Sequence, residues 1–152
     1  MKRENLPQPT PLGLFHLLMH IGHLLESHCR EGLKEYGLHH GQARVLMALD
    51  RTDGLIQARL AAGLDIAPAT LSIMLKKLHA SGLVQRAADS RDERVNRIVL
   101  TPAGQKAVKQ IRAVWQQAFE TIVDSLDPRD RQLTHQLLLS IRNALGGRTP
   151  GL

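Results

Sequence analysis

Three histidines, His16, His20 and His23, stand at i, i+4 and i+7 within an apolar stretch. On a helix this spacing puts them on one face, and an i, i+4 histidine pair can share a metal ion. No acidic residue or cysteine at matching spacing completes a ligand set; Glu26 is the nearest candidate, and His28 and Cys29 fall further round. The strip therefore reads first as interface or pocket lining, with a metal-binding sensor or storage protein as an alternative. Cys29 is the only cysteine, which excludes an internal disulfide and a Cys-only metal cluster. A small buried apolar site is the commoner place for a free cysteine, and a redox role stays open. A second concentration is cationic: Lys76 and Lys77, then Arg86, Arg91, Arg94 and Arg97, set among Asp89, Asp92 and Glu93. Such groups suit phosphate. Catalytic constellations are missing: there is no GxSxG, Walker loop, HExxH or CxxC, and Ser72 and Ser90 lack an evident base. The expectation is a protein that is not an enzyme and carries no cofactor or metal.

The charge distribution sharpens the cationic group. Twenty Lys+Arg against fourteen Asp+Glu leave +6 over 152 residues. Residues 65–112 hold nine basic and four acidic side chains, whereas residues 1–64 hold seven and six and residues 113–152 four of each. A localised excess points to a polyanion, nucleic acid first and a membrane surface second. Aromatic residues are only 3% of the chain, which argues against a stacking platform for single strands. No apolar run approaches the ~20 residues of a membrane span. The N-terminal MKRENLPQPTP has no hydrophobic signal region. The expected place is the cytoplasm, and the length fits one domain.

Proline and glycine punctuate the elements that would position these groups. Pro7, Pro9 and Pro11 fall in an N-terminal arm, residues 1–11, expected to be extended and flexible. Pro68, Pro102 and Pro128 each precede a helical pattern, the N1 position where a missing N–H costs nothing. Thr101 and Asp127 are good N-caps before two of them. A first helix is expected over residues 12–36, with Leu14, Leu17, Leu18, Ile21, Leu24, Leu25 and Leu33 recurring at three- and four-residue steps. Gly22 and Gly32 within it each cost about 1 kcal/mol relative to Ala. Shorter helices follow over residues 42–50, 57–64 and 68–80. Gly82 then ends the helical period, and residues 83–86 and 96–100 alternate as a hairpin with a polar tip. Two longer helices, residues 102–124 and 128–145, close the chain.

Three short helices followed by a hairpin make a winged helix-turn-helix, whose third helix enters the major groove while the hairpin reaches the adjacent groove. The fold class is therefore mainly α with a small two-stranded antiparallel wing. Ala67-Pro68-Ala69-Thr70-Leu71-Ser72, the run Leu78-x-x-x-Gly82-Leu83-Val84-x-Arg86, Asp89-x-x-Asp92-x-Arg94 and Leu100-Thr101-x-x-Gly104 resemble the MarR family of transcriptional regulators. Gly37-Leu38-x-x-x-Gln42-x-x-x-Leu46-x-x-Leu49 is similar to that family's second helix. The resemblance spans nearly the whole chain. It implies a single MarR-like domain: a helical dimerisation region over residues 12–36 and 102–146, and a DNA-binding lobe over residues 37–101. It implies a homodimer on a pseudo-palindromic operator of double-stranded DNA, usually as a repressor relieved by a small ligand or an oxidant. Three positions depart from the family: Ile73, where many members carry Arg or another polar residue; His39, at a usual Thr or Ser N-cap; and Asp65, where Gly is frequent. Ile73 bears on which DNA sequence is preferred.

On this reading Ala69, Thr70, Ser72 and Ile73 lie where base edges come within reach, and Pro68 before them belongs to the same DNA-binding set. Lys76 and Lys77 meet phosphates, which fix register without reading sequence. Arg86, Arg91, Arg94 and Arg97 are the wing contacts. Asp92 orients Arg94, which suits the narrow minor groove. Ligands in the family settle between the dimer helices and the lobe. That junction is expected to gather His16, His20, Arg44, Met47, Trp115 and Phe119, a few polar groups among apolar walls. Arg44 would hold a carboxylate or phenolate, and the aromatic pair would supply flat contact for a small aromatic or anionic effector. A non-specific architectural DNA binder stays open beside the metal-binding alternative.

Overall fold

A computed structural model describes residues 9–52, 54–88 and 96–147. In chain order its elements are α1 (Pro11–Lys34), α2 (His40–Asp50), α3 (Gln57–Leu64), α4 (Pro68–Ala80), β1 (Val84–Ala88), β2 (Asn96–Leu100), α5 (Pro102–Asp124) and α6 (Pro128–Ala144). The fold is mainly α with one antiparallel hairpin, Val84 opposite Leu100 and Ala88 opposite Asn96. Leu55 extends the hairpin by a bridge to Ile98, with backbone hydrogen bonds of 3.1 and 2.8 Å.

Four helices open on side-chain caps, which satisfy backbone N–H groups that have no partner inside the helix. Thr10 accepts from the Gly13 N–H, Thr101 from that of Gly104 and Asp127 from that of Arg129. Pro11 is therefore the first residue of α1 and not part of the arm. Thr10-Pro11 repeats the Thr101-Pro102 pattern that the sequence reading used only further along. At α2, His39 Nδ1 accepts from the Gln42 N–H while the Gln42 amide oxygen accepts from the His39 N–H. Histidine thus replaces Ser or Thr in a complete capping box, and α2 starts two residues earlier than its apolar period suggests.

One core joins α2, α3, α4, the hairpin and the first half of α5. Val45, Leu46, Leu49, Leu60, Leu71, Leu78, Val108 and Ile111 are its largest fully enclosed side chains, with Leu33 from the end of α1. Gly104 is what lets α5 start against this lobe. A Cβ there would stand 2.0 Å from the Leu83 carbonyl oxygen. Thr101 locks the same junction, its hydroxyl donating to the Gly82 carbonyl while its N–H donates to that of Leu83. Gly32 likewise does not break α1. A Cβ there would meet the Val114 side chain at 2.6 Å, so glycine allows α1 and α5 to cross closely. Asp65, between α3 and α4, holds the left-handed conformation at φ 53° that a glycine would adopt without steric cost.

Candidate nucleic-acid interface and ligand cavity

The first two turns of α4 carry Pro68, Ala69, Thr70, Ser72 and Ile73, all exposed, while Leu71, Leu75 and Leu78 face the core. Ile73 is 60% exposed. It shares its helix face with Thr70, Lys76 and Lys77, three and four residues away and all exposed. Lys76 and Lys77 are exposed one turn further on. Neither α3 nor α4 has a side-chain cap, in contrast to the other four helices. Helix N-termini of this kind carry partial positive charge and suit anions such as phosphate.

Ser72 does not stand alone. Its hydroxyl donates to the Pro68 carbonyl at 2.9 Å and accepts from the Gln57 side-chain amide at 2.6 Å. Gln57, the first residue of α3, is a residue that sequence reasoning missed. Its signal was available in principle: a polar residue opening the helix before the recognition helix. It lines a groove of about 410 Å³ between α4 and the hairpin, together with Lys76, His79, Gln85 and Arg86. Among the described residues no carboxylate lines this groove. Arg86 is exposed on β1, and Arg97, half-buried on β2, pairs in register with Ala87. Arg91, Arg94 and Asp92 lie outside the described residues.

A larger cavity of about 660 Å³ lies where α1, α2, α3 and α5 meet. Arg44, Met47, Trp115 and Phe119 come together on its wall, as the sequence suggested. His16 and His20 do not. α1 supplies Leu25 and Cys29 instead, because only its C-terminal part packs on α2 and α5. His20 lies nine residues before Cys29, or about 13 Å along the helix. His16, His20 and His23 are exposed, and among the described residues no group of three or more His, Cys, Asp or Glu could hold a metal ion.

The cavity's polar groups have distinct states. Arg44 Nη2 donates to the Leu64 carbonyl at 2.9 Å, tying α2 to the end of α3. His40, missed as a lining residue, lies with its ring 6.1 Å from that of Trp115. His40 Nδ1 and Trp115 Nε1 are enclosed with no hydrogen-bond partner among the described residues. Burial pushes the His40 pKa below its ordinary value; the charges of Arg44 and His39 add to this and Glu26 opposes it. Burial also pushes the Cys29 thiol pKa up, which disfavours the reactive thiolate.

A hairpin wing beside an exposed, cationic recognition helix defines a winged helix-turn-helix DNA-binding protein. A MarR family profile matches residues 36–95. The chain is 32% identical to the HTH-type transcriptional regulator SarZ of Staphylococcus haemolyticus over 98 residues, 64% of this chain and 67% of that one. It is 29% identical to an HTH-type transcriptional repressor of Mycobacterium tuberculosis, covering 87% of this chain and 94% of that one. The structure of S. aureus MepR in complex with DNA shares the fold, with a TM-score of 0.77 at 24% identity over 85% of this chain and 96% of that one. The chain belongs to the MarR family and is a DNA-binding transcriptional regulator. Its relatives are named as regulators, not as enzymes. Among the described residues no single helix is long and apolar enough to cross a membrane.

Proposed function

We propose that the protein works as a homodimer, binds a pseudo-palindromic operator sequence-specifically, represses transcription there, and releases the operator when a small ligand fills the 660 Å³ cavity. The observation that carries the DNA reading is the shared surface of α4. Exposed Thr70 and Ile73 precede exposed Lys76 and Lys77, beside two helix N-termini without side-chain caps. Pro68, Ala69, Thr70 and Ile73 are the base-facing set. Ser72, held by Gln57, is assigned to positioning. Lys76, Lys77, Arg86 and Arg97 face phosphates, and Arg91 and Arg94, the latter oriented by Asp92, keep the wing role that the family pattern implies. Two lobes related by a dimer axis would meet half-sites about 10 bp apart. That one relative is named a repressor and a neighbour in fold is solved on DNA supports this reading.

The test is competition between operator and random DNA across a salt series. Lys77→Ala should weaken both DNAs alike and reduce the salt slope by about one unit. Ile73→Ala should instead relax preference at one base pair, because a branched apolar side chain recognises only a thymine methyl. Equal affinity of the wild type for operator and random DNA would make it an architectural binder and overturn the proposal.

A further inference from the structure

The contact between Gln57 and Ser72 fixes more than the spacing of two helices. A serine hydroxyl has one proton, and that of Ser72 goes to the Pro68 carbonyl at 2.9 Å. Its oxygen can then only accept from Gln57, so the Gln57 amide turns its nitrogen to Ser72, at 2.6 Å. Nε2 carries two protons and Ser72 takes one, which leaves one N–H and the amide oxygen uncommitted. Among the described residues Gln57 has no second side-chain hydrogen bond. Gln42, in the first turn of α2, differs: its amide oxygen closes the capping box with His39. Gln57 closes none, because Ile56 before α3 has no capping side chain.

The surroundings of this amide favour an anion. Gln57 is half-buried in the groove between α4 and the hairpin, where Lys76 and Arg86 supply positive charge and, among the described residues, no carboxylate opposes it. When a helix-turn-helix docks, the helix before the recognition helix crosses the sugar-phosphate backbone. Here that helix is α3, and Gln57 is its first residue.

We propose that Gln57 is a positioning residue for operator reading: it gives one N–H to a backbone phosphate in each half-site while the other holds Ser72. This rests on the reading of the protein as a sequence-specific operator binder. Ser72 lies between Thr70 and Ile73 on α4, so the Gln57 bridge ties that phosphate to the base-facing residues and sets their register. Lys76 and Lys77 attract phosphate as flexible point charges, whereas a planar amide held at both ends admits a narrow range of positions. Gln57 is also uncharged, so its contact releases no counterion.

The experiment uses the full-length protein and an operator that the wild type selects from a randomised duplex pool. Single methylphosphonates are stepped along the operator backbone. At one phosphate in each half-site, neutralisation should weaken the wild type at least about fivefold more than it weakens Gln57→Ala. Gln57→Ala should itself weaken the operator about tenfold and random DNA by no more than about threefold, with the salt slope unchanged. Ser72→Ala should act in the same way, and the double variant should fall within about twofold of the weaker single one. Retained affinity for random DNA shows that the variants are folded. Equal sensitivity of wild type and Gln57→Ala at every phosphate would overturn the proposal. So would an unchanged ratio of operator to random affinity in Gln57→Ala, which would leave the bridge a brace between helices. A third adverse result is coupling of Gln57 to 7-deazaadenine at one base in place of a phosphate, since an N–H beside an oxygen also suits adenine. A pool that yields no consensus would overturn the operator reading and the proposal with it. A clear consensus without a Gln57 effect would overturn the proposal alone.

Discussion

The winged lobe and the helices outside it handle apolar side chains in opposite ways. Within the lobe, Leu46, Leu49, Leu60, Leu71 and Leu78 are almost wholly enclosed. α1 buries only Leu33, and α6 buries nothing. Yet both helices carry regular apolar stripes. Leu14, Leu17, Ile21 and Leu24 on α1, and Leu133, Leu137 and Leu138 on α6, are exposed in the single protomer. The difference teaches that a hydrophobic period marks a surface that needs covering, without saying which chain covers it. Contiguous apolar faces of this extent favour an interface between copies. The homodimer belongs to the proposed function for that reason.

The sharpest way to break this comparison is a pair of substitutions. Leu71→Ala should cost about 2–5 kcal/mol, because it removes side-chain volume from an enclosed site that collapses only in part. Urea denaturation followed by circular dichroism measures it. Leu137→Glu should instead turn a dimer into monomers in sedimentation at micromolar concentration while the lobe keeps its helical signal. If Leu137→Glu unfolds the lobe as fully as Leu71→Ala does, the two regions are not separate. A wild-type monomer would remove the dimer reading.

A smaller effect comes from His40, at the seam between α2 and α5. Its folded pKa lies below its ordinary value of 6.5, chiefly through burial. As pH falls below that value the unfolded chain takes up a proton that the folded protein resists. Stability should therefore decline with falling pH, and level off once the folded state is protonated too. Denaturation midpoints of the wild type and His40→Gln, compared between pH 7.5 and 5.5 (about two units spanning the ordinary histidine range), isolate the contribution. An unchanged pH slope in His40→Gln would show that His40 carries no such linkage.

The smallest expected effect lies inside the lobe. Asp65→Gly should stabilise by about 0.5–1 kcal/mol, since glycine takes φ > 0 with no Cβ clash. The same denaturation series reads it. A loss of stability would mean that the aspartate side chain makes a contribution larger than its backbone cost.

Much of the fold was legible because its signals are local. Pro68, Pro102 and Pro128 open helices, Thr101 and Asp127 cap two of them, and the change of period after Gly82 marks the hairpin. Thr10-Pro11 carries the same local signal, although the prolines before it make the segment look like a continuous arm. On the DNA face, the phase of α4 followed from its period: Leu71, Leu75 and Leu78 inward, Thr70 and Ile73 outward. The cavity was half legible. The junction that the family resemblance implies does gather Arg44, Met47, Trp115 and Phe119, but not His16 and His20, because the sequence does not show where along α1 the crossing falls. The close approach of Gly32 to Val114 decides that crossing, and it puts Leu25 and Cys29 at the cavity instead.

By itself, the sequence determined the order of the elements, their caps and the stretch that carries the positive charge. Each of these depends on residues within a few positions of one another. Only the tertiary structure decided that Gln57 holds Ser72, that Arg44 holds the Leu64 carbonyl, and that Arg51 and Arg59 share a cavity with His40 and Trp115. Those pairings join separate elements, and distances across elements are set by how side-chain volumes fit together where helices cross, which no local pattern encodes.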